Sequence, residues 1–278
     1  MLEITDAEFN AIKDIMFKKT GVFLKPTKKP LVITRLRKRI QELGLSDFSE
    51  YITLLSDPKQ DELEYFVNAL TTNETFFFRH DKQFDYLKET IIPALVQEKK
   101  QAGKVPELRV WSAASSTGEE VYSIAILLKE CMKTYPGLRV TLIASDVNSV
   151  VLERARAGIY PGRSLREVPE HIKKKYFTPC PKKNEYAHEE FEIAHEIKTM
   201  VTFQQHNLLR LFSQKNFDVI FLRNVLIYFT RETKETVVKL LANNSVPGGY
   251  LFISLSESLS DVTTPFTFLQ SGIYQQVR

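Results

Sequence analysis

Residues 108–123 read LRVWSAASSTGEEVYS, and this stretch decides the fold class. The apolar run at residues 108–111 is typical of a buried strand, and apolar residues at helical spacing follow over residues 119–133. Between them lies a loop of small residues, which gives a ligand close access to the backbone. The glycine-rich dinucleotide fingerprint is absent from this loop. The stretch therefore predicts a strand, a ligand-accessible loop and a helix in succession.

The same alternation continues toward the carboxyl terminus. Strand-like runs occur at residues 139–144, 217–222 and 250–255, and a helical pattern occurs at residues 149–157. Strands that alternate with helices are typical of βαβ units, so we expect an α/β fold with a mostly parallel sheet. Weak alternation at residues 272–277 predicts an antiparallel closing strand.

The amino-terminal part has a different pattern. Residues 1–72 show helical periodicity and no strand-like alternation, and Thr5 and Glu8 have the spacing of a capping box. We therefore expect a small helical bundle over residues 1–72. Residues 73–107 are interpreted as a linker and cofactor-cleft segment, and residues 108–278 as the α/β domain. Prolines and charged residues interrupt that domain, which predicts an inserted antiparallel β-subdomain at about residues 165–205, including β-like pieces at 191–193 and 200–203.

Composition excludes several classes of protein. The chain has 278 residues, of which 43% are apolar and 26% charged, which is typical of a globular protein and excludes a long disordered chain. A net charge of +4 is too small to argue for nucleic acid by itself. Neither the two cysteines nor the five histidines have metal-ligand spacing, so we expect no metal. We also expect no secretory signal and no membrane insertion, and hence a cytoplasmic protein with reduced thiols.

Acidic residues follow the first predicted strand and end the second. Glu119 and Glu120 at the helix start disfavour a phosphate and suit a ligand with a cationic group, such as an α-amine or a sulfonium. The alternative is that they only complement the helix dipole, which we favour for one of the two. Asp146 ends the second strand, where an acidic residue either binds ribose hydroxyls or caps the next helix. Spacing alone does not separate these two roles.

Further polar residues that could bind a ligand lie at the end of the third predicted strand and at the junction between the two domains. Arg223, Asn224 and Tyr228 follow the strand at 217–222, at the edge where open α/β sheets bind ligands. The alternative for Tyr228 is a core aromatic with a satisfied hydroxyl. At the junction, the three phenylalanines of residues 71–79 (TTNETFFFR) favour interdomain packing, whereas we assign Arg79 to the cleft.

One charge run is informative. Residues 15–41 contain nine basic residues and no acid. Arg35, Lys38 and Arg39 fall on one side of the second helix, away from its apolar stripe. A solvated helix face is the common explanation, and an acidic protein surface or a nucleic acid are the alternatives. No nucleic-acid motif or aromatic interleaving is present, so we expect no nucleic-acid partner.

Taken together, these segments resemble the CheR family of chemotaxis receptor methyltransferases. The matching motifs occur in the family's order over nearly the whole chain: TNETFFFR at 72–79, WSAASSTGEEVYS at 111–123, ASD at 144–146, HNLL at 206–209 and RNVLIYF at 223–229. The resemblance implies an all-helical domain and a Rossmann-like class I methyltransferase domain with a seven-stranded, mostly parallel sheet. It also implies methyl transfer from S-adenosylmethionine to glutamate side chains on chemoreceptor cytoplasmic helices, giving methyl esters and S-adenosylhomocysteine.

The resemblance also implies roles for individual residues. The cofactor contacts would be Asn73, Thr75, Arg79, one of the pair Glu119 and Glu120, Asp146, Asn207, Leu208, Arg223 and Asn224. Arg79 and Tyr228 would also line the reaction centre, and Arg35, Lys38 and Arg39 would dock the acidic receptor helices.

This sequence departs from the family at two places. Val121 stands where the family usually has proline, which removes no ligand. Residues 176–202 lack the glycine-rich turn of members that bind a receptor's carboxy-terminal pentapeptide, so we expect no strong pentapeptide tether. The alternatives are a methyltransferase acting on another acidic protein or a small molecule, and a non-catalytic adaptor that binds S-adenosylmethionine. A nucleic-acid methyltransferase is disfavoured because the [DN]-P-P-[FYW] signature is absent. Nothing in the sequence demands a dimer, so we expect a monomer.

Overall fold

The computed structural model describes residues 3–57, 61–181 and 189–277. Four helices form the amino-terminal bundle: α1 Asp6–Thr20, α2 Lys29–Glu42, α3 Phe48–Ser56 and α4 Glu62–Leu70. The predicted capping box starts the first helix, since the Thr5 side chain accepts the Glu8 N–H at 3.2 Å and the Glu8 carboxylate accepts the Thr5 N–H at 2.7 Å. The stripe Val32, Leu36 and Ile40 is completely buried in the core of the bundle.

The next segment differs from the predicted linker. Residues 81–101 form one continuous helical stretch: α5 Asp81–Tyr86, a π-helical turn at Leu87–Ile91 and α6 Ile92–Gln101. Its apolar side chains share one core with strand and helix residues of the α/β domain. Residues 73–76 have no regular secondary structure and residues 77–80 form turns and bends. The helical stretch that follows belongs structurally to the larger domain, because its apolar face needs the sheet to cover it.

Within its described residues, the larger domain has ten strands and five more helices. The strands are β1 Glu107–Ala113, β2 Arg139–Asp146, β3 Ile159–Pro161, β4 Phe177–Pro179, β5 Glu190–Ile193, β6 Val201–Gln205, β7 Phe217–Phe221, β8 Ser245–Phe252, β9 Phe266–Gln270 and β10 Ile273–Gln276. The helices are α7 Glu119–Thr134, α8 Ser149–Ala157, α9 Glu170–Tyr176, α10 His195–Lys198 and α11 Arg231–Asn244. Short 3₁₀ turns occur at Pro26–Lys28, Gly162–Leu165 and Leu226–Tyr228.

A seven-stranded sheet forms the centre of this domain, with the order β6-β2-β1-β7-β8-β10-β9. The first five strands are mutually parallel, and β10 and β9 pair antiparallel at one edge. The expected fold class is therefore confirmed, including the antiparallel closing strand. A separate antiparallel sheet, β3-β5-β4, confirms the small subdomain.

The insertion has different limits from those expected. Its first strand lies at Ile159–Pro161, before residue 165. The piece at 200–203 does not belong to it, because β6 pairs in parallel with β2 as an edge strand of the large sheet. A five-residue strand that is only half buried has the same sequence pattern in either sheet, so its partner could not be inferred from periodicity.

The parallel strands determine where polar side chains converge. β1, β2 and β7 lie side by side, and their carboxyl ends lead into residues 114–118, Asp146 and residues 222–228. Since the carboxyl ends of parallel strands meet at one edge, three of the predicted site segments meet there. Within the described ranges, no helix is both long and apolar enough to span a membrane.

Candidate functional site

A cavity of about 400 Å³ lies at the carboxyl ends of the parallel strands. Its walls come from both parts of the chain: the segment between α1 and α2, the end of α4 with residues 71–76 and Arg79, the loop after β1, and the loops after β2, β6 and β7. Nine of the ten residues predicted to bind the cofactor line it, and so does the predicted reaction-centre residue Tyr228. The nine are Asn73, Thr75, Arg79, Glu120, Asp146, Asn207, Leu208, Arg223 and Asn224.

Asp146 is at the cavity and is not the cap of the next helix. The N-cap of α8 is Asn148, whose side chain accepts the Val151 N–H at 3.1 Å. The Asp146 carboxylate accepts the backbone N–H groups of Ser116 at 2.8 Å and Asn148 at 3.0 Å. Burial raises its pKa, and those two N–H groups oppose the rise. A carboxylate held in this way has lone pairs left to accept two neighbouring hydroxyl groups of a ligand.

The two glutamates at the start of α7 have different surroundings. Glu120 lines the cavity, accepts the Ser112 hydroxyl at 2.8 Å and pairs with Arg223 at 3.1 Å. Glu119 is 4% exposed, lies beneath the loop and accepts the hydroxyls of Thr117 and Ser164. Burial raises the pKa of Glu119. Glu120 is thus the member of the pair that lines the cavity, whereas Glu119 is buried.

Arg223 links three parts of the site. Besides Glu120, its guanidinium donates to the carbonyl of Arg79 and contacts His80 Nδ1 at 2.8 Å. Burial lowers the pKa of Arg223, and its Nε is buried without a partner among the described residues. Burial and the neighbouring Arg223 and Arg79 charges lower the pKa of His80 to about 4. His80 is therefore neutral at physiological pH and accepts from Arg223 at Nδ1.

The reaction-centre candidates lie on two loops. Arg79 is part exposed, with its guanidinium 5.6 Å from the Phe76 ring centre and a hydrogen bond of 3.4 Å to the Glu74 carbonyl. Tyr228 ends the 3₁₀ turn Leu226–Tyr228 and is partly exposed. Across the described ranges its hydroxyl has no hydrogen-bond partner. Both side chains therefore present polar groups that an incoming substrate can reach.

The loop after β1 is held in an unusual conformation. Ala114 and Ser116 have φ values of 60° and 50°, in the left-handed region that non-glycine residues seldom adopt. This conformation aims the Ser116 N–H at Asp146, and the Ser116 hydroxyl donates to the Asn73 carbonyl. Strain of this kind persists only where surrounding contacts enforce it, and it concentrates at binding sites.

The cavity has the chemistry that S-adenosylmethionine requires. Ser115 Oγ and His206 Nε2 are buried polar atoms on its wall with no partner in the described parts of the chain. Asp146 suits ribose hydroxyls, Glu120 suits an α-amine, and Arg79 or Arg223 suits an α-carboxylate. Leu208 supplies an apolar wall, and Asn73, Thr75 and Asn207 supply further polar groups. The residues present therefore fit this cofactor. No described group of His, Cys, Asp or Glu side chains could hold a metal ion.

The basic helix face is not part of the cavity. Arg35 donates to the carbonyls of Ala69 and Thr71 at 3.2 and 2.6 Å, and Arg39 pairs with the buried Glu62 at 2.6 Å. These two arginines hold α2 against α4 and the segment after it. Lys38 projects into solvent, with 84% of its side chain exposed, and pairs with Glu42 at 3.5 Å.

Sequence reasoning missed the segment between α1 and α2. Phe23, Lys25 and Lys28 line the cavity, and both lysines are exposed and have no ion-pair partner in the described structure. The signal was present, since these lysines belong to the acid-free basic run. The prediction for this domain considered only residues in helices, however, and these lysines lie in the connection that begins at Gly21. The pentapeptide expectation concerns residues 176–202, and residues 182–188 of that stretch lie outside the described residues.

Comparisons with known proteins show which family this chain is similar to. The family model described as "CheR methyltransferase, all-alpha domain" matches residues 7–71, and "CheR methyltransferase, SAM binding domain" matches residues 73–275. The chemotaxis protein methyltransferase of Escherichia coli K12 is 36% identical over 98% of this chain and 92% of that protein. The chemotaxis protein methyltransferase of Borreliella burgdorferi is 34% identical over 93% of this chain and 90% of that protein. A solved magnesium protoporphyrin IX methyltransferase from Synechocystis PCC 6803 aligns with a TM-score of 0.38 and 15% identity. The alignment covers 89% of this chain and 97% of that one.

Proposed function

Because the chain belongs to the CheR family of S-adenosylmethionine-dependent chemotaxis methyltransferases, we propose that it methylates glutamate side chains on the cytoplasmic helices of chemoreceptors. The products are glutamate 5-O-methyl esters and S-adenosylhomocysteine. One observation carries the proposal: a single cavity joins the acidic pair Asp146 and Glu120 to the exposed polar groups of Arg79 and Tyr228. The first pair suits the cofactor and the second suits a carboxylate substrate.

The cofactor, when bound, supplies an electrophilic methyl group on a sulfonium. We assign the ribose hydroxyls to Asp146, the α-amine to Glu120, and the α-carboxylate to Arg79 or Arg223. Asn73, Thr75, Asn207, Leu208 and Asn224 complete the cofactor contacts. The role expected for one member of the glutamate pair goes to Glu120, because Glu119 does not reach the cavity.

A glutamate substrate suits a cavity in which no hydrogen bond joins a serine to a histidine among the described lining residues. A glutamate side chain, with a reference pKa of about 4.3, is ionised at neutral pH and needs no general base. The protein instead orients the carboxylate in line with the methyl group and removes water from it. We assign this orientation to Arg79 and Tyr228, whose polar groups are exposed toward the cavity. A tight arginine pair would stabilise the ground state, so orientation is the better role for Arg79.

Substrate docking is proposed to use the positive charge of the helical domain. Receptor methylation helices are rich in acidic side chains. Lys38 is available for docking, whereas Arg35 and Arg39 keep part of their charge exposed while they bond to Thr71 and Glu62. Lys25 and Lys28 add two exposed positive charges at the cavity itself.

Several further expectations belong to this proposal. The protein acts as a monomer in the cytoplasm, on the cytoplasmic part of its receptors, without inserting into the membrane and without a nucleic-acid partner. It holds receptors without a strong pentapeptide tether. Another acidic protein as substrate, or a non-catalytic role for the same cofactor site, are the competing functions.

Transfer of label distinguishes these possibilities. The protein is incubated with methyl-labelled S-adenosylmethionine and a receptor cytoplasmic fragment, and the labelled fragment is then treated with mild alkali. A glutamate methyl ester releases labelled methanol under these conditions, whereas an N-methyl group is retained. Alkali-labile label that depends on Tyr228 supports the proposal. Alkali-stable label, or no transfer although the cofactor binds, overturns it.

A further inference from the structure

Glu257 lies behind the cavity and has no part in the chemistry described above. It follows β8, does not line the cavity, and is only half buried. No positively charged side chain pairs with it among the described residues. Its carboxylate instead accepts backbone N–H groups, from Ser254 at 2.8 Å, from Asn224 at 3.0 Å and from Ile227 at 3.3 Å.

These bonds hold the segment 224–228, which carries the site residues Asn224 and Tyr228. Asn224 adopts a φ of 62°, in the left-handed region, and its side chain donates to Ser254 Oγ at 2.9 Å. The 3₁₀ turn Leu226–Tyr228 follows directly. Backbone N–H groups in a short irregular loop have no ladder partner, so an acceptor on a neighbouring loop fixes their direction. One carboxylate therefore fixes both ends of the segment 224–227.

The opposite side of the same turn is fixed by the helical domain. The Phe23 N–H donates to the Tyr228 carbonyl at 2.8 Å, and Val22 and Phe229 form an isolated antiparallel bridge. The Tyr228 backbone is thus bound on one side, and the N–H groups just before it are bound by Glu257 on the other. The Tyr228 hydroxyl has no partner of its own, so its position depends on these backbone contacts.

We propose that Glu257 is a positioning residue: it holds the turn 224–228 so that the Tyr228 hydroxyl lies where the substrate carboxylate must be oriented. The kinetic test of this inference rests on the proposed function, because it measures methyl transfer. It assigns no contact between Glu257 and either substrate. Glutamine at this position keeps the size of the side chain but places an NH₂ group against one of the loop N–H groups, which leaves two donors facing each other.

A double-mutant cycle separates this role from a general loss of structure. Glu257→Gln is made alone and together with Tyr228→Phe, and Asp261→Asn is the matched control. Asp261 is an exposed carboxylate in the same loop that pairs with Lys234, and among the described residues it accepts no hydrogen bond from the backbone of Asn224 or Ile227. Methyl transfer is measured as kcat and KM, and unfolding is followed by thermal denaturation.

We expect Glu257→Gln to lower kcat about tenfold in the native background and less than about threefold beside Tyr228→Phe, because residues that act through one another are not additive. The KM for the receptor fragment and the unfolding midpoint stay near those of the control. An equal loss of kcat in both backgrounds, or a kcat equal to that of Asp261→Asn, overturns the proposal.

A second readout does not need turnover. With fluorotyrosine at position 228, the fluorine NMR signal reports directly on that ring. Glu257→Gln should shift or broaden this signal, and Asp261→Asn should leave it unchanged. An unchanged signal in Glu257→Gln overturns the positioning role even if the protein methylates no receptor. Absence of methyl transfer by the unmodified protein, with the expected NMR shift, counts only against the proposed function.

Discussion

Glu119 and Glu120 are chemically identical neighbours, and their surroundings give them different roles. The helix turns by about 100° between them, which sends Glu120 toward the cavity and Arg223, and Glu119 toward Thr117 and Ser164. The sequence restricted the cofactor ligand to this pair but could not choose between its members. That choice depends on which side of α7 faces the sheet edge.

A matched pair of substitutions tests this assignment. Glu120→Gln removes the charge that would pair with the cofactor's α-amine, so S-adenosylhomocysteine should bind about tenfold more weakly, or about 1.4 kcal/mol. Glu119→Gln keeps one of the two hydroxyl bonds through its amide oxygen, and its NH₂ can donate to the other hydroxyl, so affinity should change by less than about twofold. Calorimetric titration of both variants measures this. Equal losses in the two variants would contradict the assignment.

His80 predicts a loss of stability in weak acid. Its pKa is about 4 in the folded protein and about 6.5 when unfolded. The unfolded chain therefore binds more protons between these values, so this contribution to stability is fully present above pH 6.5 and is lost as the pH falls toward 4.

Asparagine is the matched replacement, because it tolerates the φ of 64° at this position and keeps an acceptor for Arg223. Between pH 7.5 and pH 5, the unfolding midpoint of His80→Asn should fall less than that of the native protein. Equal decreases, measured by thermal denaturation, would show that His80 does not contribute to the acid sensitivity.

At the scale of elements, the segment 73–79 joins the cavity to the small β-subdomain. The Phe77 ring lies edge-on to Tyr160 and Phe177, with ring centres 4.8 and 5.0 Å apart, and the Phe77 N–H donates to the Ser164 carbonyl. The sequence analysis assigned the three phenylalanines to packing between the two domains, which is wrong for Phe77, because the buried core that contains it is made of residues from the larger domain. The structure places Phe77 in the core between α7 and the subdomain, completely buried.

Truncation of this ring should be costly. Phe77→Ala removes a fully buried aromatic side chain and should reduce the free energy of unfolding by about 3–5 kcal/mol. Phe268→Ala is the control, since Phe268 is 61% exposed on β9 and its loss should cost less than about 0.5 kcal/mol. Denaturant titration measures both. A cost for Phe77→Ala as small as that of the control would contradict the packing described here.

Element by element, prediction succeeded where local patterns are strong. Helix α8 was predicted at its observed limits, 149–157, because a strand end and a glycine at position 158 bracket it. The helical stretch 81–101 was missed because its π-helical turn breaks the 3.6-residue period. β9 was missed because all but its first residue are exposed, which leaves no buried–exposed alternation.

At the scale of the whole molecule, the sequence motifs predicted that the loops after β1, β2 and β7 carry the site. They did not predict how the helical domain packs over these loops. Contacts between residues distant in sequence provide that packing. Asn148 donates to the Asn68 carbonyl and to Thr71 Oγ1, and Asn207 donates to the Lys19 carbonyl. No periodicity or composition encodes such contacts, so the position of Lys25 and Lys28 at the cavity could only be found in the structure.

The charge at the cavity mouth predicts a salt-sensitive substrate interaction. Replacement of Lys25 and Lys28 together by alanine should raise the KM for an acidic receptor fragment several-fold, and the difference should shrink at high ionic strength because exposed charges are screened. Affinity for S-adenosylhomocysteine should not change. The matched control replaces Lys100 and Lys104 by alanine. These two lysines are exposed and precede β1, so they lie toward the amino-terminal end of that strand, away from the cavity. Equal effects of both pairs would contradict local docking.

The identity of the methyl acceptor is decided by tandem mass spectrometry of a receptor cytoplasmic fragment after reaction with S-adenosylmethionine. We predict the mass of one methyl group on glutamate side chains, removed by mild alkali and greatly reduced when the reaction uses Tyr228→Phe. A methyl group on lysine, arginine or a chain terminus would contradict the function proposed here. So would a fragment that stays unmodified while the protein binds the cofactor.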